Sequence, residues 1–321
     1  MGIFLCLAGS AEAKAHPTHH LRADAVETVR AVLETPDASL DLAKAKLAFD
    51  KIVAPSIDVD ATLRQLDQMT ATVRSLAGPK ASPIQKLAAV RKFIYVDGDW
   101  NGHRPFQYDL SDPLGHKIAN KLLPTYLATR RGNCVSMPVL FIILADRLGL
   151  PVTASTAPQH IFAKFRDDST GKMMNIEATS GGLPARDAWY RENMPMSDAA
   201  VKNGVYLKTL SRKETAAVMA EIVVEHFMAT KRYRDVIAVS DLIIKQNASF
   251  VDPILSRGSA YGTLIETEFR AKYPSPRDIP PALLPTYRSY EEQNRLAFEK
   301  AEALGWRETD GEATTAPTPN H

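Results

Sequence analysis

The stretch RRGNCVSMPVLFIILADRLGL, residues 130–150, places a cysteine directly before a long apolar run. Pro138 cannot lie inside a helix that enters from upstream, because its ring would clash with the carbonyl of Cys134. We therefore expect a helix that begins near Cys134, with Asn133 as its N-cap, and ends at Gly149. The run has little polar face, so this helix is predicted to be buried at the centre of its domain.

Two roles are open for Cys134, which is the one cysteine outside the extreme N-terminus. A free cysteine is often a small buried core residue. At the amino end of a helix, however, partial positive charge and unpaired N–H groups favour the thiolate and can stabilise an oxyanion beside the sulfur. A cysteine nucleophile also needs a base and a group that orients the base.

Short segments after Pro151 supply these partners. VTAST, HIFAKF and MMNIEAT alternate or carry β-branched residues, and the separator RDDSTGK predicts a hairpin between the last two. His160 opens the second segment and Glu177 lies in the third. Asn175 and Glu177 are two residues apart and share one face of the strand, so either can orient the imidazole. One helix followed by antiparallel strands predicts an α+β fold.

A polar stretch rich in glycine and proline, GDWNGHRPFQYDLSDPLG, precedes this region. Long irregular loops in compact domains are often functional. Trp100, Gln107 and Tyr108 are therefore candidates for lining a cleft or donating to an oxyanion, with Asn133 and Asn175 as further candidates. Anchoring the loop against an aromatic core is the alternative role for the two aromatic residues.

The segments RRGNCVSMPVLFIILADRLGLPV, APQHIFAKF and NIEATSGG resemble the core of the bacterial transglutaminase-like superfamily. This resemblance covers residues 85–190 and implies a papain-like fold with a Cys–His–Asp triad. It assigns Cys134 as nucleophile and His160 as general base and acid. The third position falls on Glu177, one methylene longer than the usual Asp, with Asn175 as the alternative orienter. The helical C-terminal region resembles the branch of this superfamily that carries tetratricopeptide-like helices. Some members of that branch lack the cysteine, which this chain retains.

Helical periodicity flanks the predicted core on both sides. The expected organisation is a signal peptide and linker (1–20), an N-terminal helical region (21–80), a transglutaminase-like core (81–205), helical hairpins resembling tetratricopeptide repeats (206–305) and a disordered tail (306–321). The central helix of the core is expected to pack on an antiparallel sheet.

Composition and charge argue against several classes of function. Of the 321 residues, 45% are hydrophobic, and 39 basic residues against 37 acidic ones give a net charge of +2. Nucleic-acid binding normally requires a concentrated basic face, and the sequence shows none. No apolar stretch is long enough to span a bilayer. The N-terminal histidines His16, His19 and His20 lack a downstream ligand pattern, so we expect a linker rather than a metal site.

The leader MGIFLCLAGSAEAKA resembles a truncated secretory signal with small-x-small cleavage sites, although it has no basic n-region. Two locations follow from it. If the leader acts as a signal, the protein is periplasmic or secreted, and otherwise it is cytoplasmic. In an oxidising compartment the mature chain would keep Cys134 without a disulfide partner, which favours a chemical role for this thiol.

The sequence predicts cysteine-dependent acyl transfer on amide or peptide bonds, without metal or organic cofactor. Water as acceptor would make the protein a protease or amidase, which we favour, and an amine would make it a transamidase. The alternative is a catalytically silent module whose cleft holds a peptide or cell-wall fragment while the C-terminal helices recruit a protein partner. Catalysis requires sulfur, imidazole and carboxylate to line one cleft. A purely structural domain predicts a filled cleft.

Overall fold

Helices make up most of the part of the chain that the computed structural model describes, residues 17–308, with side chains from residue 25 onwards. The helices are α1 (Pro17–Glu34), α2 (Leu42–Val53), α3 (Val59–Ala77), α4 (Pro83–Tyr95), α5 (Leu123–Thr129), α6 (Ser136–Arg147), α7 (Asp187–Asn193), α8 (Asp198–Lys202), α9 (Arg212–Ala229), α10 (Tyr233–Gln246), α11 (Val251–Leu264) and α12 (Leu284–Ala303). The strands are β1 (Gln107–Tyr108), β2 (Arg131–Gly132), β3 (Val152–Ala157), β4 (His160–Asp167), β5 (Lys172–Glu177) and β6 (Leu183–Ala185).

Local sequence signals, such as a capping box, fix the ends of helices. α4 begins at Pro83 behind a capping box, in which Ser82 and Gln85 exchange side-chain and backbone hydrogen bonds. α1 begins at Pro17, inside the segment expected to be leader and linker, and residues 1–16 lie outside the described residues. Of the predicted tail, residues 309–321 also lie outside them.

The central helix and the sheet confirm the α+β fold class. In α6, all residues from Ser136 to Ala145 are buried, and the helix packs on β3 and β4. The sheet has the order β3-β4-β5-β6, and all its neighbouring strands are antiparallel. The predicted hairpin closes where Asp167 pairs with Lys172. β6, α7 and α8 were not expected from the sequence.

The N-terminal and C-terminal helices share one hydrophobic core. α1 packs on α10 and α2 packs on α9, and the main buried cluster draws residues from Ala25 to Ala260. A second cluster joins Phe162 of the sheet and Tyr190 of α7 to α11 and α12. The space between the sheet, α6 and the C-terminal helices is therefore enclosed from several directions, and the candidate site lies there.

Candidate active site

Asn133 fixes the turn that carries Cys134. Its side-chain Oδ1 accepts hydrogen bonds from the backbone N–H groups of Val135 and Ser136, both at 3.0 Å. In return, the Asn133 N–H donates to Ser136 Oγ at 3.1 Å. The N-cap position of α6 is Val135 and not, as the sequence predicted, Asn133, although the Asn133 side chain accepts from the N–H groups of Val135 and Ser136. Cys134 lies two residues before the first helical residue.

This capping changes which donors can face an oxyanion. The N–H groups of Val135 and Ser136 are engaged by Asn133, so the expectation that the first helical N–H groups serve this purpose is wrong for these two. The backbone N–H of Cys134 forms no hydrogen bond with another described residue. It is therefore the available donor next to the sulfur.

A two-residue turn brings His160 to the sulfur. β3 ends at Ala157 and β4 begins at His160, and these two residues are partners in the sheet. Between them Gln159 has a φ of 54°, a left-handed conformation that non-glycine residues rarely adopt. The Cys134 thiol donates to the carbonyl oxygen of Gln159 at 3.5 Å. The turn therefore places the first residue of β4 beside the cysteine.

His160 connects the sulfur to a buried carboxylate. Its Nε2 lies 2.8 Å from Oε2 of Glu177, and the two side chains are only 7% and 3% exposed. Burial alone would lower the pKa of His160, but the charge of Glu177 and hydrogen bonds with Cys134 and Glu177 raise it to about 10. Because Glu177 engages Nε2, Nδ1 is the nitrogen left to face Cys134. The imidazole is therefore protonated at neutral pH.

The strand register explains how a glutamate reaches this histidine. Ala163 pairs with Ile176, and the same register continued by one residue puts Glu177 opposite Phe162. His160 and Phe162 share a face of β4, so Glu177 and His160 are diagonal neighbours. Diagonal positions are about 7–8 Å apart at Cα, a span suited to a longer side chain. The extra methylene relative to aspartate is thus accommodated by the diagonal arrangement.

Glu177 is held by three further hydrogen bonds. The backbone N–H and the hydroxyl of Thr179 donate to Oε1 at 2.9 and 2.6 Å, and the hydroxyl of Tyr190 donates to Oε2 at 2.9 Å. Burial raises the pKa of Glu177, but His160 and Thr179 outweigh it, so the pKa is lowered overall. The carboxylate is therefore ionised and fixed in orientation.

Thr179 and Tyr190 were not singled out from the sequence. Thr179 lies two residues after Glu177, a spacing at which a side chain and a backbone N–H can close a local turn. Tyr190 lies on α7 and stacks on Phe162 with ring centroids 4.1 Å apart. Only the packing of α7 against the sheet brings its hydroxyl to the carboxylate, so no local pattern indicated it.

Two of the five additional candidates are engaged away from the imidazole. The Asn175 side chain donates to Asp187 at 2.7 Å, while Glu177 is the hydrogen-bond partner of His160 Nε2. The Trp100 indole donates to the backbone carbonyls of Lys92 in α4 and of Val96, the residue after α4, at 3.3 and 3.2 Å, and so anchors the loop there. For Trp100 the anchoring role is the one that the structure shows.

The two remaining loop candidates, Gln107 and Tyr108, lie in different places relative to Cys134. Gln107 lines a shallow surface cavity with Thr129 and Arg131, not the one that contains the cysteine. Tyr108 is half-buried and donates to the carbonyl of Pro113 at 3.1 Å. Burial raises the pKa of Tyr108, and the charges of Cys134 and Glu177 raise it further. Tyr108 is therefore within electrostatic range of the site, whereas Gln107 lies elsewhere.

Cys134 and His160 line one cavity of about 320 Å³. Residues of α9 and α11 also line this cavity, among them Glu221 and Asp252. Cys134 is only 2% exposed, so a ligand reaches the sulfur through this cavity. Within the described part of the chain, no group of three or more His, Cys, Asp or Glu side chains is arranged to hold a metal ion.

Comparison with known proteins agrees with this architecture. Residues 60–219 match the model of the transglutaminase-like superfamily. The chain thus contains a transglutaminase-like domain. The match extends beyond the predicted core of residues 81–205 at both ends, into α3 and α9. It confirms the resemblance found in the three sequence segments.

One curated relative supports a bacterial context for this transglutaminase-like domain. The UPF0162 protein BU173 of Buchnera aphidicola subsp. Acyrthosiphon pisum is 23% identical over 240 residues, which cover 71% of this chain and 83% of that protein. No solved structure matches the chain significantly. Among the described residues, no helix has the length and apolar character needed to cross a membrane.

Proposed function

We propose that this protein catalyses acyl transfer from amide or peptide bonds through a Cys134 thioester. The observation that carries the proposal is that Cys134 and His160 line one cavity, and that His160 Nε2 is hydrogen-bonded to the buried carboxylate of Glu177. Nucleophile, base and orienting group are the three elements that thiol catalysis requires. The transglutaminase-like domain makes cysteine-dependent acyl transfer the matching reaction class.

The first half of the reaction forms the thioester. The Cys134 thiolate attacks the amide carbonyl carbon, and the developing oxyanion accepts a hydrogen bond from the Cys134 N–H. The carbon–nitrogen bond then breaks, and the imidazolium of His160 gives its Nδ1 proton to the leaving amine. Glu177 keeps the ring oriented through Nε2 and stabilises its positive charge. Electrons from the broken bond leave with the amine nitrogen.

The second half returns the enzyme to its starting state. Neutral His160 takes a proton from water or from an amine, whose oxygen or nitrogen attacks the thioester carbon. The carbon–sulfur bond breaks, releasing a carboxylic acid or a new amide, and the thiolate and imidazolium are restored. We favour water as the acceptor, and therefore a peptide or protein hydrolase, because water enters any cavity that admits a substrate.

Thiol alkylation tests the first requirement of this mechanism. Cys6→Ser removes the second cysteine of the sequence, so that only Cys134 can react. In this background, the rate of Cys134 alkylation by iodoacetamide is measured from pH 5 to 10. We expect the rate to remain nearly constant from pH 6 to 9, and in His160→Ala to rise with pH around the ordinary thiol value of about 8.5. His116→Ala is the matched control, because His116 lines the same cavity, and we expect it to behave like the parent.

Substrate turnover tests the second requirement. Incubation with a peptide library should yield a Cys134 acyl adduct by mass spectrometry, and the adduct should be absent from Cys134→Ser. Ordinary alkylation, unchanged by His160→Ala, would contradict the proposal.

A silent binding module is the second candidate, favoured by the burial of the sulfur and its hydrogen bond to Gln159. Retained peptide binding without any adduct would support that candidate.

A further inference from the structure

The loop that joins β1 to α5 packs against the turn that carries Cys134. Two of its residues, Leu114 and His116, line the cavity that contains the sulfur. The loop finishes in a 3₁₀ turn, Ile118–Lys121, just before α5 begins. We call residues 112–121 the cavity loop.

A buried carboxyl group holds the cavity loop together. Asp112 is only 3% exposed. The backbone N–H groups of His116 and Lys117 donate to its oxygens at 2.7 and 3.3 Å. The side chain of Asn120 donates to Asp112 as well, at 2.8 Å. Satisfied buried networks make the segment that forms them rigid, so Asp112 fixes the position of Asn120 relative to the start of the loop.

The cavity loop meets the turn that carries Cys134 at the fully buried side chain of Asn133. Asn133 Nδ2 donates to the carbonyl oxygen of Asn120 at 3.3 Å. Its Oδ1 accepts from the N–H groups of Val135 and Ser136. An amide donates only through nitrogen and accepts only through oxygen. The carbonyl of Asn120 therefore decides that the oxygen of Asn133 faces the residues after Cys134.

Gly115 shows how closely the loop approaches this side chain. Its φ is 67°, and a Cβ at this position would lie 2.7 Å from Asn133 Nδ2 and 2.8 Å from Lys121 Cε. These distances are well below an ordinary van der Waals contact. Because Asn133 is buried and hydrogen-bonded through both ends of its amide, a methyl group at position 115 would push on the turn that carries Cys134.

We propose that the cavity loop positions Cys134 through Asn133, with Asp112 and Gly115 as positioning residues. The loop holds the amide of Asn133, and this amide holds the backbone on the C-terminal side of Cys134. The sulfur thus stays beside His160, and the Cys134 N–H stays next to the sulfur. Asp112 and Gly115 do not themselves line the cavity. The inference rests on the proposed function for the reaction that this positioning serves.

Amide hydrogen exchange tests the mechanical link without requiring catalysis. Gly171, in the β4–β5 hairpin, has a φ of 68°, and a Cβ there would meet no atom within 4 Å. Gly115→Ala and Gly171→Ala therefore impose the same backbone strain, but only Gly115→Ala adds a contact with Asn133. In the full chain we expect residues 133–137 to exchange about ten times faster in Gly115→Ala than in the parent. Gly171→Ala should leave their exchange unchanged.

The pH profile of thiol alkylation tests whether the loop places the sulfur. In the Cys6→Ser background the parent should react at nearly the same rate at pH 6 and pH 9. In Gly115→Ala the rate at pH 6 should fall about threefold or more below the rate at pH 9, because a displaced sulfur is paired less well with His160. Gly171→Ala should keep the profile of the parent. A merely structural role of Gly115 would lower stability without changing this profile.

Variants of Asp112 give an independent measurement of the same link. Asp112→Ala should change the alkylation profile as Gly115→Ala does, and Asp112→Asn, which keeps the size and one acceptor oxygen, should lie between Asp112→Ala and the parent. Asp167→Ala is the control, because Asp167 accepts three hydrogen bonds within the β4–β5 hairpin. Thermal unfolding of each variant verifies that it is folded. If Gly115→Ala does not fold, the comparison of Asp112→Asn with Asp167→Ala decides the outcome.

Turnover supplies a third readout. On a peptide substrate, kcat of Gly115→Ala should fall about tenfold or more while KM stays within about threefold of the parent, because the loop acts on the reacting group and not on substrate binding. Exchange, alkylation and kcat in Gly115→Ala equal to those in Gly171→Ala would overturn the positioning role.

The two proposals fail in different ways. Faster exchange and a changed alkylation profile in Gly115→Ala, in a protein whose parent never forms a Cys134 adduct, would retain the positioning of the cysteine and reject acyl transfer. Adduct formation and turnover that are the same in Gly115→Ala and Gly171→Ala would retain acyl transfer and reject the positioning role.

Discussion

Glu177, which orients His160, and Glu221 of α9 differ in how completely their carboxyl oxygens are hydrogen-bonded. At the sulfur end, Glu177 accepts hydrogen bonds from His160, Tyr190 and two donors of Thr179. On α9, the Glu221 side chain is hydrogen-bonded to Ser256, but its Oε2 has no partner. Fully satisfied polar networks are rigid, whereas a partly satisfied one is costly to maintain. The protein therefore fixes the orientation of Glu177 with its own side chains, whereas the carboxyl group of Glu221 is only partly satisfied.

Removing the charge at the satisfied end should have the largest effect. In Glu177→Gln the imidazolium loses its buried counterion, so we expect acyl transfer to fall by about 10³–10⁴-fold, as for comparable changes in catalytic triads. Breaking a buried ion pair should also destabilise the protein by about 3–5 kcal/mol. The measurements are kcat/KM on a peptide substrate and urea unfolding.

Two variants separate these contributions. Glu177→Asp keeps the charge but shortens the diagonal reach to His160, so its activity should lie between the parent and Glu177→Gln. Asp50→Asn breaks the other buried ion pair, with Lys46, and should destabilise the protein without changing the pH profile of Cys134 alkylation. An alkylation profile in Glu177→Gln identical to that of the parent would contradict the role given to Glu177.

The raised pKa of His160 predicts how stability depends on pH. The folded value is about 10 against an ordinary value of 6.5, so between these values the folded protein binds one proton more than the unfolded chain. The stabilisation is complete below pH 6.5 and is lost as pH rises towards 10, at no more than about 1.4 kcal/mol per pH unit.

Urea unfolding of the parent and of His160→Ala at pH 6.5, 8 and 9.5 measures this effect. The difference in free energy of unfolding between the two should shrink as pH rises. A difference that stays constant would mean that His160 does not titrate in this range and that the imidazolium is not held by Glu177.

The sulfur end was largely predictable because its signals are local. Pro138 places the start of α6 near Cys134, and a hairpin separator aligns the strands that carry His160 and Glu177. Which residue of β5 orients the imidazole was left open between Asn175 and Glu177, because both share one strand face. Only the register of the sheet, together with the packing of α7, decides between them.

The proximity of Glu221 and Asp252 to the cavity could not be predicted from local sequence pattern. Asp252 and Glu221 lie on different helices that meet across the cavity, far from Cys134 in sequence. One signal was available, since helical spacing puts Glu221 on the same face as Val218 and Ile222. The positions of Trp100 and Gln107 away from the cysteine were also not predictable, because the path of a long loop depends on contacts that periodicity does not encode.

A smaller effect is expected when one hydrogen bond is removed from the satisfied end. Tyr190→Phe keeps the stacking on Phe162 but removes the hydroxyl that donates to Glu177. We expect a loss of about 1.5–3 kcal/mol in the free energy of unfolding, the range for hydrogen bonds to charged groups, and a several-fold fall in acyl transfer. Unchanged unfolding together with unchanged turnover would show that Tyr190 does not help to orient the carboxylate.

The smallest effect should have the opposite sign. Glu221→Gln replaces a buried carboxyl without a partner at Oε2 by a neutral amide of nearly the same shape, so the free energy of unfolding should stay equal or increase by up to about 1 kcal/mol. Asp241→Asn, at a largely exposed carboxylate of α10, is the control and should leave the free energy of unfolding nearly unchanged. Residues kept for a ligand commonly lower stability, and those kept for the fold raise it. A clear destabilisation by Glu221→Gln would place Glu221 with the structural carboxylates and remove the contrast between Glu177 and Glu221.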